Sequence, residues 1–172
     1  MKILIISLPR TGSTSLMKLT AKKHNLNYIH EPFNKIFYEK YKNYDWISND
    51  NYVIKSIIDQ LPEGETDIIS YWEKFHKNFD KIILLSRKDL VDCSKSLAYA
   101  AYHTEKAYWS NKYIWELTPN LEETYRYIIF LNKLMFDIKN RLNLDIIYYE
   151  DIFDINSDER LRINKNIKKK LL

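Results

Sequence analysis

Two stretches of this chain carry residues that could do chemistry on an anion. The first is Ser7-Leu8-Pro9-Arg10-Thr11-Gly12-Ser13-Thr14, which directly follows the apolar run Ile3-Leu4-Ile5-Ile6 and holds one of only two glycines in 172 residues. A strand emptying into a short hydroxyl-rich loop and then a helix start presents unpaired backbone N–H groups and a positive dipole end, a natural grip for a phosphate. The second is Arg87-Lys88-Asp89-Leu90-Val91-Asp92-Cys93-Ser94-Lys95-Ser96, a basic pair closing the apolar run Lys81–Ser86 and followed by a helix with two serines. Arg87 or Lys88 can pair with a second phosphate, and Ser94 or Ser96, about two turns on, can donate to it. A helix N-terminus capped by Asp89, with Arg87 paired to a carboxylate, is the plainer alternative.

Set against the nucleoside-triphosphate pattern G-x-x-x-x-G-K-[ST], the first loop has Ser7 for the first glycine and Ser13 for the lysine, while Gly12 and Thr14 stand in register and a cation appears early, at Arg10. The phosphate cradle is kept and the magnesium-ATP apparatus altered. A sulfuryl group carries less charge than a γ-phosphoryl and has less need of a metal; one guanidinium can balance the charge that develops on its bridging oxygen.

Pro9-Arg10-Thr11-Gly12-Ser13-Thr14 resembles the 5′-phosphosulfate loop of sulfotransferases that use 3′-phosphoadenosine 5′-phosphosulfate, the carbohydrate-type branch above all. The segment from Arg87 to Ser96 is similar to that family's 3′-phosphate motif. His30-Glu31-Pro32-Phe33 resembles its Glu-Pro-(Phe/Leu) step, where the glutamate lies near the acceptor. The resemblance implies Glu31 as general base, since an attacking hydroxyl must lose a proton. His30 ranks second, because strand alternation points it away from Glu31. Lys55 is a lone cation in the apolar strand Tyr52–Ile58, so it must find an anion or a strand end; the resemblance implies contact with the sulfate or acceptor, and an ordinary edge-strand lysine is the alternative. Tyr148-Tyr149-Glu150-Asp151 looks like a Tyr-Glu-Asp-Leu step of structural role. The matching segments run in family order from residue 3 to about 152. Many relatives close a basic, glycine-containing loop over the nucleotide, whereas no glycine follows Asp151, leaving Arg160, Arg162 or the terminal lysines to replace that cap. The resemblance implies 3′-phosphoadenosine 5′-phosphosulfate as donor, adenosine 3′,5′-bisphosphate as product, no metal, and a small-molecule or carbohydrate acceptor.

Positioning these residues takes alternating elements. Strands are expected at Lys2–Ser7, Asn27–His30, Tyr52–Ile58, Lys81–Ser86 and Asp145–Tyr149, and helices at Ser13–Lys23, Lys35–Lys42, Ser70–Asn78, Leu90–His103 and Leu121–Leu142. The last helix has the clearest period, through Leu121, Tyr125, Ile128, Leu131, Met135, Ile138 and Leu142. The pattern predicts an α/β fold: one three-layer domain around a mostly parallel sheet, of the sulfotransferase variety of P-loop NTPase-like folds by resemblance, with ligands at the strands' C-terminal ends. Residues 1–155 make that domain and 156–172 a basic helix or tail of it.

The apolar run at the N-terminus is too short for a signal core or a bilayer span, so a cytoplasmic protein without a membrane partner is expected. Cys93, the only cysteine, excludes an internal disulfide and a cysteine-based zinc site. A net charge of +4 suits an anionic cofactor and is too mild to demand nucleic acid. The aromatic stretch Tyr99–Trp115, with His103 and Trp109, is where acceptor selection is expected. Two competing readings stand beside the sulfotransferase. One is a P-loop kinase or nucleoside-triphosphatase with Asp59 or Asp151 as magnesium holder. The other is a non-catalytic fold that binds the bisphosphate product or a partner.

Overall fold

The longer apolar runs become central strands buried on both faces, as parallel strands covered by helices must be. β1 (Lys2–Ser7) pairs in parallel with β3 (Tyr52–Ile57) on one side and with β4 (Lys81–Ser86) on the other. β2 (Asn27–His30) lies outside β3 and β5 (Ile146–Tyr148) outside β4, so the five strands run in the order β2-β3-β1-β4-β5, all parallel. The helices are α1 (Ser13–His24), α2 (Lys35–Tyr41), α3 (Ile68–Phe75), α4 (Leu90–His103), α5 (Leu121–Leu142) and the short α6 (Tyr149–Ile152). The computed structural model describes residues 1–46, 50–103 and 120–153. The expected acceptor stretch beyond His103, with Trp109, and the basic segment 156–172, with Arg160, Arg162 and the terminal lysines, lie outside those residues.

Strand alternation divides the core into two faces. Ile3 and Ile5 of β1, Val53 of β3 and Ile83 and Leu85 of β4 pack with Leu16, Met17 and Ala21 of α1. Leu4, Ile6, Ile54 and Leu84 face the other way, toward Trp72 and Phe75 of α3 and Ile128, Leu131, Met135 and Ile138 of α5. That is the expected three-layer α/β architecture. The main departure is at α3, which starts at Ile68 rather than Ser70, because Asp67 is the N-cap and accepts from the Ser70 amide at 3.0 Å. Among the described residues no helix is long and apolar enough to cross a membrane.

The strand order fixes where a ligand can sit. From β1 the chain goes to the edge strand β2 and returns to β3 beside β1, then crosses to β4 and β5 on the other side. The connections therefore part above the C-terminal ends of β1, β3 and β4, opening a crevice there.

Candidate functional site

β1 ends at Ser7, and the chain bends across the top of the sheet into α1. The Leu8 amide donates to the Leu85 carbonyl at 3.1 Å, and the Ile58 amide to Ser7 at 3.0 Å, which ties the loop to both neighbouring strands. Thr11, fully buried, donates its hydroxyl to Leu8 O at 2.8 Å and so braces the loop from inside. Gly12 is the N-cap of α1 with φ 68°, a left-handed conformation that disfavours side chains. A Cβ there would also meet the Phe153 ring at 2.8 Å. Gly12 supplies no capping side chain and the first turn of α1 holds no acid. Among the described residues the amides that open α1 are thus left without a side-chain acceptor, and the first turn offers no acid to offset the dipole.

Arg10 also has positive φ, 58°. Its Nε donates to Ser96 Oγ at 3.1 Å, and its carbonyl accepts from Arg87 Nη1 at 3.3 Å. The loop and the start of α4 therefore line one cleft of about 760 Å3, to which Arg10, Thr11, Gly12, Ser13, Thr14, Arg87, Lys95 and Ser96 all contribute. Arg87 is held on three sides: Asp92 accepts from Nη2, the guanidinium lies 4.7 Å from the Tyr149 ring centroid, and Glu150 Oε1 stands 3.6 Å from Nε. Asp89 does cap α4, accepting from the Asp92 amide at 2.8 Å. The cap and the Arg87–carboxylate pair of the plainer alternative are thus present, within a cleft wall.

The alternatives at this wall separate. Lys88 turns outward to pair with Asp151, its Nζ 5.6 Å from the Tyr148 ring centroid, and does not line the cleft. Ser94 is buried and donates to the Leu90 carbonyl one turn back at 2.7 Å. Pro9 is likewise off the cleft, its carbonyl accepting from Cys93 Sγ at 3.2 Å. Burial pushes the Cys93 thiol up to about 12, which leaves it protonated and unreactive. Arg87 and Ser96 are the pair that faces the loop.

At the opposite wall β2 and β3 deliver His30, Glu31 and Lys55. Lys55 and Glu31 form an ion pair, each side chain about 3% exposed. Asn34 Nδ2 at 3.1 Å and Gln60 Nε2 at 2.9 Å both donate to Glu31 Oε2. Burial alone would raise the Glu31 carboxyl, but the Lys55 charge, with hydrogen bonds from Lys55 and Gln60, holds it below its ordinary value. Burial draws the Lys55 ammonium down, against the pull of Glu31, with Arg10 adding to the drop. Removing one member of such a pair costs about 3–5 kcal/mol, because the other is stranded in low dielectric. His30 Nε2 lies 3.0 Å from Thr14 Oγ1 and 3.6 Å from Glu31 Oε1. Burial and the nearby Lys55 lower its imidazole below the usual value.

Three features were not legible beforehand. Glu31 has φ 46°, so the alternation that separates His30 from Glu31 stops at the end of β2 and both face the cleft. Tyr149 and Phe153 line the cleft as well, their ring centroids 4.8 Å apart, although the Tyr-Glu-Asp step was expected only to hold structure. Glu150 and Asp151 do hold structure: Glu150 accepts from the Lys88 and Asp89 amides, and Asp151 pairs with Lys88. Gln60 carries no motif, and its part in the Glu31 network appears only in three dimensions.

A five-stranded parallel sheet in this order, with a tight bend between its central strand and first helix, gives an α/β domain of P-loop NTPase-like fold. The chain is similar to shikimate kinase from Bacteroides thetaiotaomicron at TM-score 0.57 and 14% identity, over 93% of this chain and 91% of that one. It is similar to deoxyadenosine kinase from M. mycoides with bound dATP at TM-score 0.51 and 16% identity, over 99% of each chain. No protein-family model and no curated protein matches the chain. At these identities the likeness establishes the fold and leaves the reaction to the site.

Proposed function

We propose that this protein transfers a sulfuryl group from 3′-phosphoadenosine 5′-phosphosulfate to a hydroxyl or amine of a small-molecule or carbohydrate acceptor, without a metal, a membrane or a nucleic acid. The observation that supports the reading is the meeting of the loop 8–14 and the Arg87–Ser96 segment in one cleft: Arg10 joins them, through its Nε to Ser96 and through its carbonyl to Arg87. A nucleotide bearing phosphates at both its 3′ and 5′ positions is the ligand for which two such sites are needed. The amides from Thr11 to Thr14 hold the 5′-phosphosulfate, and Arg87 and Ser96 hold the 3′-phosphate. Arg10 steadies the oxygen that departs with the nucleotide. Asp92 now occupies one edge of Arg87, so the 3′-phosphate competes with it for the guanidinium. Residues 1–155 form the catalytic domain in this reading, with 156–172 as its basic extension.

Phosphoryl transfer by a P-loop kinase is the second reading, and the two kinase folds favour it. The site favours it less. Ser13 stands where the phosphate-reaching lysine is needed. Of the two carboxylates suited to magnesium, Asp59 is buried against the Tyr127 hydroxyl and Asp151 pairs with Lys88, and neither lines the cleft. Calorimetric titration separates the readings. Adenosine 3′,5′-bisphosphate is expected to bind at least tenfold more tightly than ATP with magnesium, and the opposite preference replaces sulfuryl by phosphoryl transfer.

A further inference from the structure

Sulfuryl transfer to a hydroxyl needs a proton acceptor, and the two candidates in the cleft differ sharply in what they are free to do. Glu31 is 2% exposed, and both its oxygens are engaged, one by Lys55 and the other by Asn34 and Gln60. To take a proton it must loosen at least one of these donors and leave the Lys55 ammonium facing a neutral acid in a dry pocket. Among the described residues, His30 is engaged on its cleft side only by a neutral hydroxyl and, at longer range, by Glu31. Its side chain is 35% exposed, and Nε2 reaches the Thr14 hydroxyl on the anion-binding helix at 3.0 Å. The ring is fixed from behind by Phe37 of α2, edge to face with centroids 5.9 Å apart.

We infer that His30 Nε2 takes the proton of the acceptor hydroxyl, and that Glu31, pinned by Lys55, Asn34 and Gln60, is a positioning residue that steadies the imidazolium once formed. The inference rests on the sulfuryl-transfer reading above. In the step, the acceptor oxygen forms a bond to sulfur as its O–H proton passes to Nε2. The bond from sulfur to the bridging oxygen breaks, and its electron pair leaves on the 5′-phosphate of the bisphosphate product. No other reactant is consumed. Thr14 is the group that the acceptor hydroxyl displaces from Nε2. The imidazolium stands 3.6 Å from Glu31 Oε1, an attraction absent while the ring is neutral and so available only as the proton arrives.

The charges facing the ring come from three elements: Lys55 of β3, Lys18 of α1, and Glu31 at the end of β2. Burial and the two lysines outweigh Glu31 and keep the imidazole below its ordinary 6.5, hence neutral and able to accept at pH 7.5. An acid limb from His30 therefore lies below 6.5, whereas one from Glu31 would lie below 4.5.

The test uses the full chain and three readouts. The first is calorimetry with adenosine 3′,5′-bisphosphate: His30→Gln is expected to bind within about threefold of the unsubstituted protein, which also shows that it folds. The second is release of adenosine 3′,5′-bisphosphate from 3′-phosphoadenosine 5′-phosphosulfate with water as acceptor. His30→Gln is expected to lower that rate about 100-fold or more and to abolish the acid limb, while Glu31→Gln keeps the limb. The third is long-range 1H–15N spectroscopy of the imidazoles at pH 7.5, which needs no turnover. It is expected to show His30 neutral with Nε2 unprotonated. A cationic ring, a proton on Nε2, or a His30→Gln rate within threefold of normal overturns the inference while bisphosphate binding stands. Absence of bisphosphate binding by the unsubstituted protein overturns the sulfuryl-transfer reading instead, and this inference with it.

Discussion

Asp59 shows how one carboxyl can set the protein's response to pH without touching the cleft. It follows β3, is 3% exposed, accepts from the Tyr127 hydroxyl through Oδ2, and among the described residues has no partner for Oδ1. Burial, only partly opposed by the Tyr127 bond, raises it from 3.8 to about 6. A raised carboxyl means the folded state holds a proton that the unfolded state has released, so stability falls as pH rises from 3.8 through 6. At pH 8 that penalty is roughly 3 kcal/mol. Asp59→Asn is therefore expected to unfold at higher denaturant than the unsubstituted protein at pH 8, by roughly 1–3 kcal/mol, and to lose that advantage near pH 3.5. A gain equal at both pH values would show that something other than ionisation is relieved. Glu31 works in the opposite sense: its lowered carboxyl contributes stability above 4.5 that is lost as pH falls through its folded value. None of this was legible in the chain, where Asp59 reads as an acid after an apolar run and a candidate magnesium holder, and only the fold supplies Tyr127, 68 positions away.

Among the elements, those whose signals are local were legible and those whose signals are tertiary were not. β1, β2, β4, α4 and α5 fall where the apolar runs and periods place them; for β1 and β4 burial on both faces, and for the helices burial along one stripe, writes itself into composition. The start of α3 was misplaced by two residues because Ser70 and Asp67 can both cap, and only the Asp67 geometry decides. The alternation that would point His30 away from Glu31 does not apply for a related reason: period-two logic holds inside a strand, and the left-handed Glu31 lies just past one, so both side chains line the cleft. The long helix α5 covers one face of the sheet, and its N-terminus rests on Asn120, whose Oδ1 accepts from the Glu122 amide at 2.9 Å and the Glu123 amide at 3.4 Å. Those acids in the first turn add a favourable dipole contact. Asn120→Ala is expected to cost about 1 kcal/mol in denaturant unfolding, with the m-value unchanged. A loss below about 0.3 kcal/mol would show that packing of Leu131, Met135 and Ile138 holds the helix without its cap.

At the scale of the whole molecule, the proposed sulfuryl transfer requires two segments from separate parts of the chain to act on one ligand. Loop 8–14 hangs from β1, while Arg87 and Ser96 come from the end of β4 and from α4; only the parallel pairing of β1 with β4 brings them together. Each motif was readable by itself, yet their shared cleft depends on strand order, which composition does not encode. A ligand that spans both sites stabilises the fold as a unit, by about 2.7 kcal/mol at a hundredfold excess over its dissociation constant. For a domain of this size that is a rise in midpoint of roughly 5–10 °C. Adenosine 3′,5′-bisphosphate is expected to give such a rise, and adenosine 5′-monophosphate at the same concentration a much smaller one, because it leaves Arg87 and Ser96 unused. Replacing Arg87 with Met should bring the two shifts together by removing the cation that distinguishes them, while Lys88→Met, whose ammonium faces Asp151 outside the cleft, should leave them apart. Equal shifts from the two nucleotides in the unsubstituted protein would mean that the second site takes no phosphate and that the loop acts alone.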